Sequence, residues 1–200
     1  MHSLRKQLRN KRQQLSPKQQ QQHSQKITQT ITQSSFYQQA KSIALYLPSD
    51  GEVDISSLLK EPLKQNKHYY LPIISNKEKG IIHFALYHKD IALKKNCFAI
   101  LEPVHKEADL KIALEMDLVL APLVGFDNQG NRMGMGGGYY DRALEHLKNN
   151  CSNHVKPIFV GIAHELQRVN SLEQNSWDIG LHAVVTEQGV DYFSSHKGMS

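Results

Sequence analysis

The chain has few cysteines, and neither lies in a recognisable motif. Cys97 and Cys151 are the only two among 200 residues, no CxxC pair occurs, and the eleven histidines lack the paired spacing of zinc ligands. A disulfide framework and a zinc site are therefore not indicated. The simplest compartment for such a chain is a reducing cytoplasm.

Long apolar segments are also missing. No run is long enough for a signal peptide or a membrane-spanning helix, so we predict a soluble, unexported protein that binds no membrane. No linker or internal repeat divides the chain. Two hundred residues suit one folding unit with a sizeable core, and we predict a single domain over residues 1–200.

Acidic residues are missing from the first twelve positions. These positions contain five basic residues, Arg5, Lys6, Arg9, Lys11 and Arg12, and the rest of the chain balances 19 basic against 19 acidic residues. The net charge of +5 therefore comes from one basic helix, predicted over residues 2–15. Nucleic-acid binders usually carry a basic face across the folded domain, so we predict no nucleic-acid partner. A nucleic-acid-binding module built on this helix is the competing hypothesis.

Apolar patterning in the rest of the chain predicts an α/β fold. Strands are predicted at residues 42–47, 69–74, 81–87, 98–101, 118–124, 157–163 and 183–185, and helices over residues 17–36, 55–63 and 139–148. The second and third strands are expected to form a hairpin, whereas the other connections favour parallel pairing. The predicted architecture is a three-layer α/β/α fold with a mostly parallel sheet and helices on both faces. Ligands of such sheets bind beyond the carboxyl ends of the strands.

Six of the twelve glycines lie in one stretch between Gly125 and Tyr140. This stretch joins an apolar strand to a helix, and we define residues 130–141 as the glycine loop. Glycine permits positive φ angles and lets a ligand approach main-chain N–H groups, and a helix N-terminus adds further donors. Tyr139 stands where a Walker A loop has its lysine and where a dinucleotide fingerprint has its third glycine, so neither motif is present.

Two charged residues flank the glycines of this loop. Arg132 supplies a guanidinium for bidentate contact with phosphate, and Asp141 is placed to hold a magnesium ion that bridges phosphate oxygens. Together with the glycines they predict a phosphate-binding loop. The alternative is a structural glycine turn in which Asp141 stabilises the first turn of the helix.

The chain from Pro122 to Arg142 resembles the signature of the 5-formyltetrahydrofolate cyclo-ligases, also called methenyltetrahydrofolate synthetases. The similar residues read Pro-Leu-Val-Gly-Phe-Asp at 122–127 and Gly-Asn-Arg-Met-Gly-Met-Gly-Gly-Gly-Tyr-Tyr-Asp-Arg at 130–142. The resemblance extends to residues 45–54, 160–164, 177–179 and 183–186. In order and spacing it covers nearly the whole chain.

The resemblance implies an ATP-dependent ligase that closes 5-formyltetrahydrofolate to 5,10-methenyltetrahydrofolate, with magnesium, and releases ADP and phosphate. The partners would be ATP and 5-formyltetrahydrofolate. Phosphorylation of the formyl oxygen makes the formyl carbon electrophilic and the oxygen a leaving group, and N10 of the folate then attacks. No protein nucleophile is needed, which agrees with the lack of a nucleophile elbow or a Cys–His signature.

The same resemblance assigns residues to the site. The ATP contacts are Arg5, Arg132, Met133, Gly134, Met135, Gly136, Gly137, Gly138, Tyr139 and Tyr140, with Arg132 and Tyr140 as the catalytic residues. The folate contacts are Leu47, Glu52, Met135, Gly136, Gly137, Gly138 and Tyr139, and the magnesium ligands are Asp141 and Asp178. Without the resemblance, Arg5 is interpreted as a solvated helix charge, Glu52 as a helix cap and Asp178 as an ion-pair partner. Trp177 is interpreted as a packing anchor.

The chain departs from the family pattern at its N-terminus. The pattern has a basic residue one helical turn before Arg5, where this chain has Met1. One ATP contact is therefore missing, or the natural start lies upstream. We expect a monomer. A related α/β enzyme that acts on another N-formyl or phosphorylated substrate is a third hypothesis, which a panel of substrates separates.

Overall fold

The computed structural model describes residues 2–60, 67–75, 77–96, 99–149 and 157–193. The α-helices in these ranges are α1 (His2–Gln13), α2 (Pro17–Gln33), α3 (Ser35–Gln39) and α4 (Tyr139–Ala143). The strands are β1 (Ser42–Ala44), β2 (His68–Ile74), β3 (Ile82–Tyr87), β4 (Leu93–Lys95), β5 (Leu101–Pro103), β6 (Leu118–Pro122), β7 (Gly125–Phe126), β8 (Arg132–Met133), β9 (Ile158–Ile162), β10 (Ala183–Thr186) and β11 (Gly189–Tyr192). Short 3₁₀ helices lie at Ser56–Lys60, Glu107–Asp109, Ala113–Glu115, Glu145–Asn149 and Glu165–Gln167.

Seven of these strands form one sheet in the order β11-β10-β9-β6-β1-β2-β3. The five inner strands are parallel, and β3 and β11 pair antiparallel at the two edges. The predicted mostly parallel sheet is therefore confirmed, and so is the hairpin of β2 with β3, in which Tyr70 lies opposite Leu86. The chain leaves β1 toward β2 on one side and later enters β6 on the other side. Such a reversal of strand order opens a crevice at the carboxyl ends of the strands.

Helices cover both faces of the sheet. Leu118 and Leu120 of β6 belong to the buried cluster that contains Ile27 and Ile31 of α2. Val119, between them in sequence, belongs to the cluster on the opposite face, against which α4 packs. A strand covered on both faces is apolar throughout, as β6 is. The predicted three-layer architecture is confirmed.

The basic N-terminal helix is two residues shorter than predicted. α1 ends at Gln13 because Ser16 is extended before Pro17, the first residue of α2. The Ser16 hydroxyl accepts a hydrogen bond from the backbone N–H of Gln19 at 3.3 Å, and the Gln19 side chain accepts one from the Ser16 N–H at 2.9 Å. This capping box fixes where the second helix begins.

The second helix is interrupted, whereas the sequence predicts it to continue through residue 36. The Ser34 hydroxyl donates to the Ile31 carbonyl at 2.6 Å and accepts from the Tyr37 N–H at 3.4 Å. A serine that satisfies backbone groups in this way competes with the helical hydrogen bonds. α2 therefore ends at Gln33, and α3 begins at Ser35.

Two other predicted helices form partly or wholly as 3₁₀ turns. The segment predicted over 55–63 is the 3₁₀ helix Ser56–Lys60, and Leu63 lies outside the described residues. The segment predicted over 139–148 is α-helical only to Ala143 and continues as a 3₁₀ helix. Apolar side chains recur every three to four residues in both helix types, so the pattern does not separate them.

The smaller strands differ most from the sequence expectation. The strand predicted at 98–101 begins at Leu101, as β5, and Phe98 lies outside the described residues. The strands β4, β7, β8 and β11 are additions to the predicted set, and they contain only two to four residues each. No helix in the described part of the chain is both long enough and apolar enough to cross a membrane.

Candidate active site

The glycine loop begins inside a small hairpin of β7 and β8. The buried Asp127 carboxylate shapes the turn of this hairpin: it accepts backbone N–H bonds from Gln129 at 2.9 Å and Asn131 at 3.0 Å. Its second oxygen accepts from the Leu172 N–H at 3.0 Å, which ties the turn to a distant segment. The loop that the sequence places between a strand and a helix is therefore anchored at its start by a hairpin.

Three glycines of the loop adopt backbone angles that other residues rarely take. Gly130 has φ +85°, Gly136 has φ +99° and Gly138 has φ +64°. Arg142 fastens this part of the loop: its guanidinium donates to the Gly137 carbonyl and, at 2.8 Å, to the Gly80 carbonyl in the β2–β3 turn. Because Gly136 and Gly137 are exposed, their backbone faces solvent and is open to a ligand.

Arg132 and Asp141 form an ion pair across the loop. Nη2 of Arg132 lies 2.5 Å from Oδ1 of Asp141, and their side chains are 6% and 20% exposed. The guanidinium lies 5.0 Å above the Phe159 ring, and burial lowers the pKa of Arg132. Its Nε–H is buried and has no hydrogen-bond partner in the described chain. The arginine therefore retains donor capacity beyond its bond to Asp141.

Asp178 lies close to this pair, as its electrostatic effect on the pKa of Arg132 shows. One oxygen of Asp178 accepts a bond from the Asn175 N–H at 2.7 Å. The next residue, Ile179, donates its N–H to Asp141 at 3.2 Å. The structure thus brings Arg132, Asp141 and Asp178 together, although Asp178 is far from the other two in sequence.

Tyr140 is placed on the inner side of α4. Its ring stacks on Phe159 at a centroid distance of 6.0 Å. Burial, and then the negative charge of Glu52, raise the pKa of Tyr140, so its phenol stays protonated and can donate a hydrogen bond. The charge of Glu52, in the segment after β1, thus acts on a residue at the end of the glycine loop.

Glu52 lies in the segment that follows β1 and is largely buried. Its Oε2 accepts from the Ser49 N–H at 3.1 Å and from the Ser49 hydroxyl at 3.3 Å, and its Oε1 lies 3.7 Å from Nη2 of Arg12. Burial raises the pKa of Glu52, while Arg12 opposes the shift. Leu47, in the same segment, is half-buried and packs against the core cluster on the α2 side of the sheet.

α1 contacts these segments through several side chains, of which the sequence predicts only that of Arg5. Nε of Arg5 donates to the Gly134 carbonyl at 2.9 Å. Arg12 is fully buried and donates to the Leu123 carbonyl at 2.9 Å and to the Asp50 carboxylate at 2.7 Å. Arg12 thus joins the segment after β6 to the segment after β1. Sequence reasoning misses this role, yet both arginines share a helix face with the buried Leu8, and that spacing is a usable signal.

The remaining predicted residues divide into exposed and buried sets. Met135 is 53% exposed and Tyr139 is half-buried, so both are accessible beside the glycines. Met133 is buried against Leu8, and its carbonyl accepts the Val124 N–H at 2.8 Å. Its side chain therefore supports the loop from below and does not face solvent.

An open cleft of about 890 Å³ lies beside the glycine loop. It is lined by Gly136, Gly137, Gly138, Asp141, Arg142, Glu145, His146 and Trp177. Trp177 is 64% exposed, so its interpretation as a packing anchor is wrong. The ring stands at the wall of the cleft, where it offers an aromatic surface to a bound ring system.

All these segments meet at one edge of the sheet. Glu52 follows β1, the glycine loop follows β6, and the two strands are adjacent and parallel. Their carboxyl ends therefore share an edge, at the point where the strand order reverses. Three of the five basic side chains of α1 bond to this region, since Arg9 also binds Asp50 at 2.7 Å. The basic helix is thus partly used within the fold, which weakens the nucleic-acid hypothesis.

Known proteins are similar to this chain over nearly its whole length. The sequence profile of the 5-formyltetrahydrofolate cyclo-ligase family matches residues 1–187. The chain is 37% identical to the 5-formyltetrahydrofolate cyclo-ligase of Haemophilus influenzae over 182 residues, 91% of this chain and 95% of the relative. It is 36% identical to that of Escherichia coli K12 over 183 residues, 92% of this chain and 98% of the relative.

A solved structure is similar in fold as well. The NMR structure of Aquifex aeolicus 5,10-methenyltetrahydrofolate synthetase has a TM-score of 0.80 and 33% sequence identity, and the match covers all of this chain and 94% of that one. The chain therefore belongs to the 5-formyltetrahydrofolate cyclo-ligase family and has its ligase activity, the conversion of 5-formyltetrahydrofolate to 5,10-methenyltetrahydrofolate.

Proposed function

We propose that the edge formed by the segment after β1 and the glycine loop carries out this cyclisation in two stages. In the first, the γ-phosphoryl group of ATP is transferred to the formyl oxygen, and ADP is released. In the second, N10 of the folate attacks the formyl carbon and loses its proton, and the phosphorylated oxygen leaves as phosphate. The protein's task is to position the reactants and to neutralise charge on the phosphoryl group.

The phosphoryl group would be held by the glycine loop together with Arg132 and with Arg5 of α1. Gly136 and Gly137 are exposed and have no side chain of their own, so their backbone N–H groups would be available as donors to phosphate. Arg132 has donor capacity beyond its ion pair, and Arg5 lies against Gly136, with its guanidinium carbon 3.5 Å from the position a Cβ there would take. Met133 and Gly134 would act through the loop conformation that they help to fix.

Magnesium fits the carboxylates of this site. Asp141 and Asp178 each have one carboxylate oxygen without a hydrogen-bond partner among the described residues, and both influence Arg132. Mg²⁺ is commonly bound by one or two carboxylates together with substrate phosphates. When bound, it would neutralise charge on the phosphate oxygens.

The folate would occupy the other side of the crevice. The Glu52 carboxylate is suited to accept hydrogen bonds from the donor-rich edge of the pterin, and Leu47 to pack on its ring. Tyr140, which stays protonated, lies at the end of the glycine loop, and the charge of Glu52 acts on it. Its hydroxyl would donate to the formyl or phosphoryl oxygen. Met135 and Tyr139 would contact the substrate from the exposed side of the loop.

The observation that carries this proposal is the Arg132–Asp141 pair beside exposed glycine backbone, on the same sheet edge as Glu52. The test follows methenyl product by its ultraviolet absorbance and ADP in the same reaction. Product and ADP should form in equal amounts, and only when both substrates are present. ADP release that depends on RNA, or on a different N-formyl compound, would support one of the competing hypotheses instead.

The proposed setting is a monomer in the cytoplasm. The proposed site is built from segments of one chain, so a second copy is not required to complete it. Sedimentation of the purified protein at working concentration tests the oligomeric state, and a dimer would contradict the proposal.

A further inference from the structure

Three donor side chains converge at a place that the proposed reaction does not use. His23 lies on α2, His164 follows β9, and Glu187 lies in the turn between β10 and β11. Their ligand atoms all lie within 4.8 Å of one another. In the described ranges of the chain, this is the one group of three or more His, Cys, Asp or Glu side chains with donor atoms close enough to share an ion.

We propose that His23, His164 and Glu187 bind a first-row transition-metal ion, with Zn²⁺ as the test case. Nδ1 of His23 lies 3.0 Å from Nδ1 of His164 and 3.5 Å from Oε1 of Glu187. Ligand atoms bound to zinc at tetrahedral angles lie about 3.3 Å apart, so these two distances need little adjustment. The third pair, His164 with Glu187, lies within 4.8 Å. Two imidazoles and one carboxylate are a ligand set that zinc uses in proteins, with a fourth position left for water.

Backbone contacts orient two of the three ligands. Nε2 of His164 lies 3.3 Å from the Gly51 carbonyl and therefore carries the proton, which leaves the lone pair of Nδ1 directed toward His23. Oε2 of Glu187 accepts the Glu165 N–H at 3.0 Å, which leaves Oε1 facing His23. Such outer contacts, which fix the tautomer and the rotamer of a ligand, are typical of metal sites.

Access from solvent also suits a metal ion. The side chains of His23 and Glu187 are 20% and 9% exposed, which leaves a route from solvent. The sequence shows no paired ligand spacing here because the three residues come from distant segments.

A bound ion would link α2, the end of β9 and the β10–β11 turn. It would therefore stabilise the folded chain against unfolding, since an ion that binds only the folded state shifts the equilibrium by mass action. The alternative for the same atoms is a hydrogen bond between the two imidazoles, in which one Nδ1–H donates to the other Nδ1.

The test uses the full-length chain after treatment with a chelator. Zn²⁺ is titrated against a chromophoric competitor, and Co²⁺ is added to a second sample to record its visible spectrum. We expect one equivalent of Zn²⁺ to bind, a rise in Tm, and a Co²⁺ spectrum of a four-coordinate site without the near-ultraviolet bands of thiolate ligands.

Two substitutions and a control decide whether these residues are the ligands. His23→Gln and Glu187→Gln should each weaken Zn²⁺ binding at least about tenfold. The control is His88→Gln, at an exposed histidine directly after β3, and it should leave Zn²⁺ binding unchanged. Circular dichroism of the metal-free variants checks that they are folded. Failure to bind one equivalent, or equal affinity in His23→Gln, would overturn the proposal and leave only the hydrogen-bonded pair.

Discussion

At the residue scale, the ion pair of Arg132 with Asp141 links both ends of the glycine loop. The two residues are nine positions apart, and Nη2 lies 2.5 Å from Oδ1. In the proposed reaction both would act on one phosphoryl group, Arg132 directly and Asp141 through a metal ion. If they do, the loss of either residue should reduce the rate more than the stability, as is expected of a catalytic pair and not of a structural one.

Arg132→Ala and Asp141→Asn are each expected to lower turnover by about 10²–10³-fold, the usual effect of removing a transition-state stabiliser. The double variant should lose much less than the product of the two losses, because both residues act on the same group. Raised magnesium should partly restore Asp141→Asn and not Arg132→Ala. Steady-state kinetics with a thermal-unfolding control measure this, and folded variants with near-normal turnover would contradict the phosphoryl-transfer roles.

Glu52 is expected to separate folate binding from ATP binding. Glu52→Gln removes a charged acceptor for the pterin, so folate should bind about 10–100-fold more weakly while ATP affinity changes little. The free energy of unfolding of this variant should be close to that of the unmodified chain. Burial raises the pKa of Glu52, and the neutral amide avoids the cost of a buried charge. Calorimetric titration of each ligand provides the measurement. Equal losses for both ligands would mean that Glu52 organises the fold through Arg12.

At the element scale, α1 connects the two segments that form the candidate site, one after β1 and one after β6. Arg12 is fully buried, and its guanidinium bonds to Asp50 and to the carbonyl of Leu123, 111 residues away in sequence. A buried charge stabilises the folded state only when its hydrogen-bond and ion-pair partners offset its desolvation. The removal of one partner therefore lowers the free energy of unfolding. The helix is therefore held by specific bonds in addition to the packing of Leu8.

Arg12→Met should lower the free energy of unfolding by about 1–3 kcal/mol, because it removes charged hydrogen bonds to Asp50 and to the Leu123 carbonyl. Arg9 still pairs with Asp50, and Gln167 still donates to the Leu123 carbonyl. Lys11→Met is the matched control on the same helix: Lys11 is exposed, and its replacement should change stability by less than about 0.5 kcal/mol. Urea unfolding of both variants measures the difference. Similar stabilities would show that α1 is held by packing alone.

At the scale of the whole molecule, a cleft lies where the glycine loop, α4 and the segment before β10 meet. Trp177 is the only tryptophan of the chain, and it lines this cleft with 64% of its surface exposed. Tryptophan emission from this chain therefore comes from a single position beside the cleft.

Binding of ATP or 5-formyltetrahydrofolate beside Trp177 should shift its emission to shorter wavelength or quench it, because the ring leaves water or stacks on the ligand. Trp177→Phe, which keeps an aromatic surface, should retain activity and lose the signal. Fluorescence titration with each ligand alone tells which of them lies next to the ring. An unchanged spectrum at saturation with both ligands would place the substrates elsewhere.

Local features of the sequence determine most of the strands and the glycine loop of the candidate site. The strands and the glycine loop could be predicted because apolar runs, glycines and their flanking charges are close together in the chain, and local backbone physics acts over the same distances. Arg132, Asp141 and Tyr140 lie within nine positions, so their proximity follows once the loop is recognised. The continuous apolar run of β6 likewise indicates a layer of helices on each face.

Contacts between distant segments were decided only by the tertiary structure. A helical pattern shows that one face of α1 is buried but not what it is buried against, so the bonds of Arg12 to both strand ends could not be predicted. The same holds for the exposure of Trp177 and for the meeting of His23, His164 and Glu187, which come from three elements. Such contacts depend on how helices dock on a twisted sheet, and that geometry is set by packing of the whole core, because no single segment contains it.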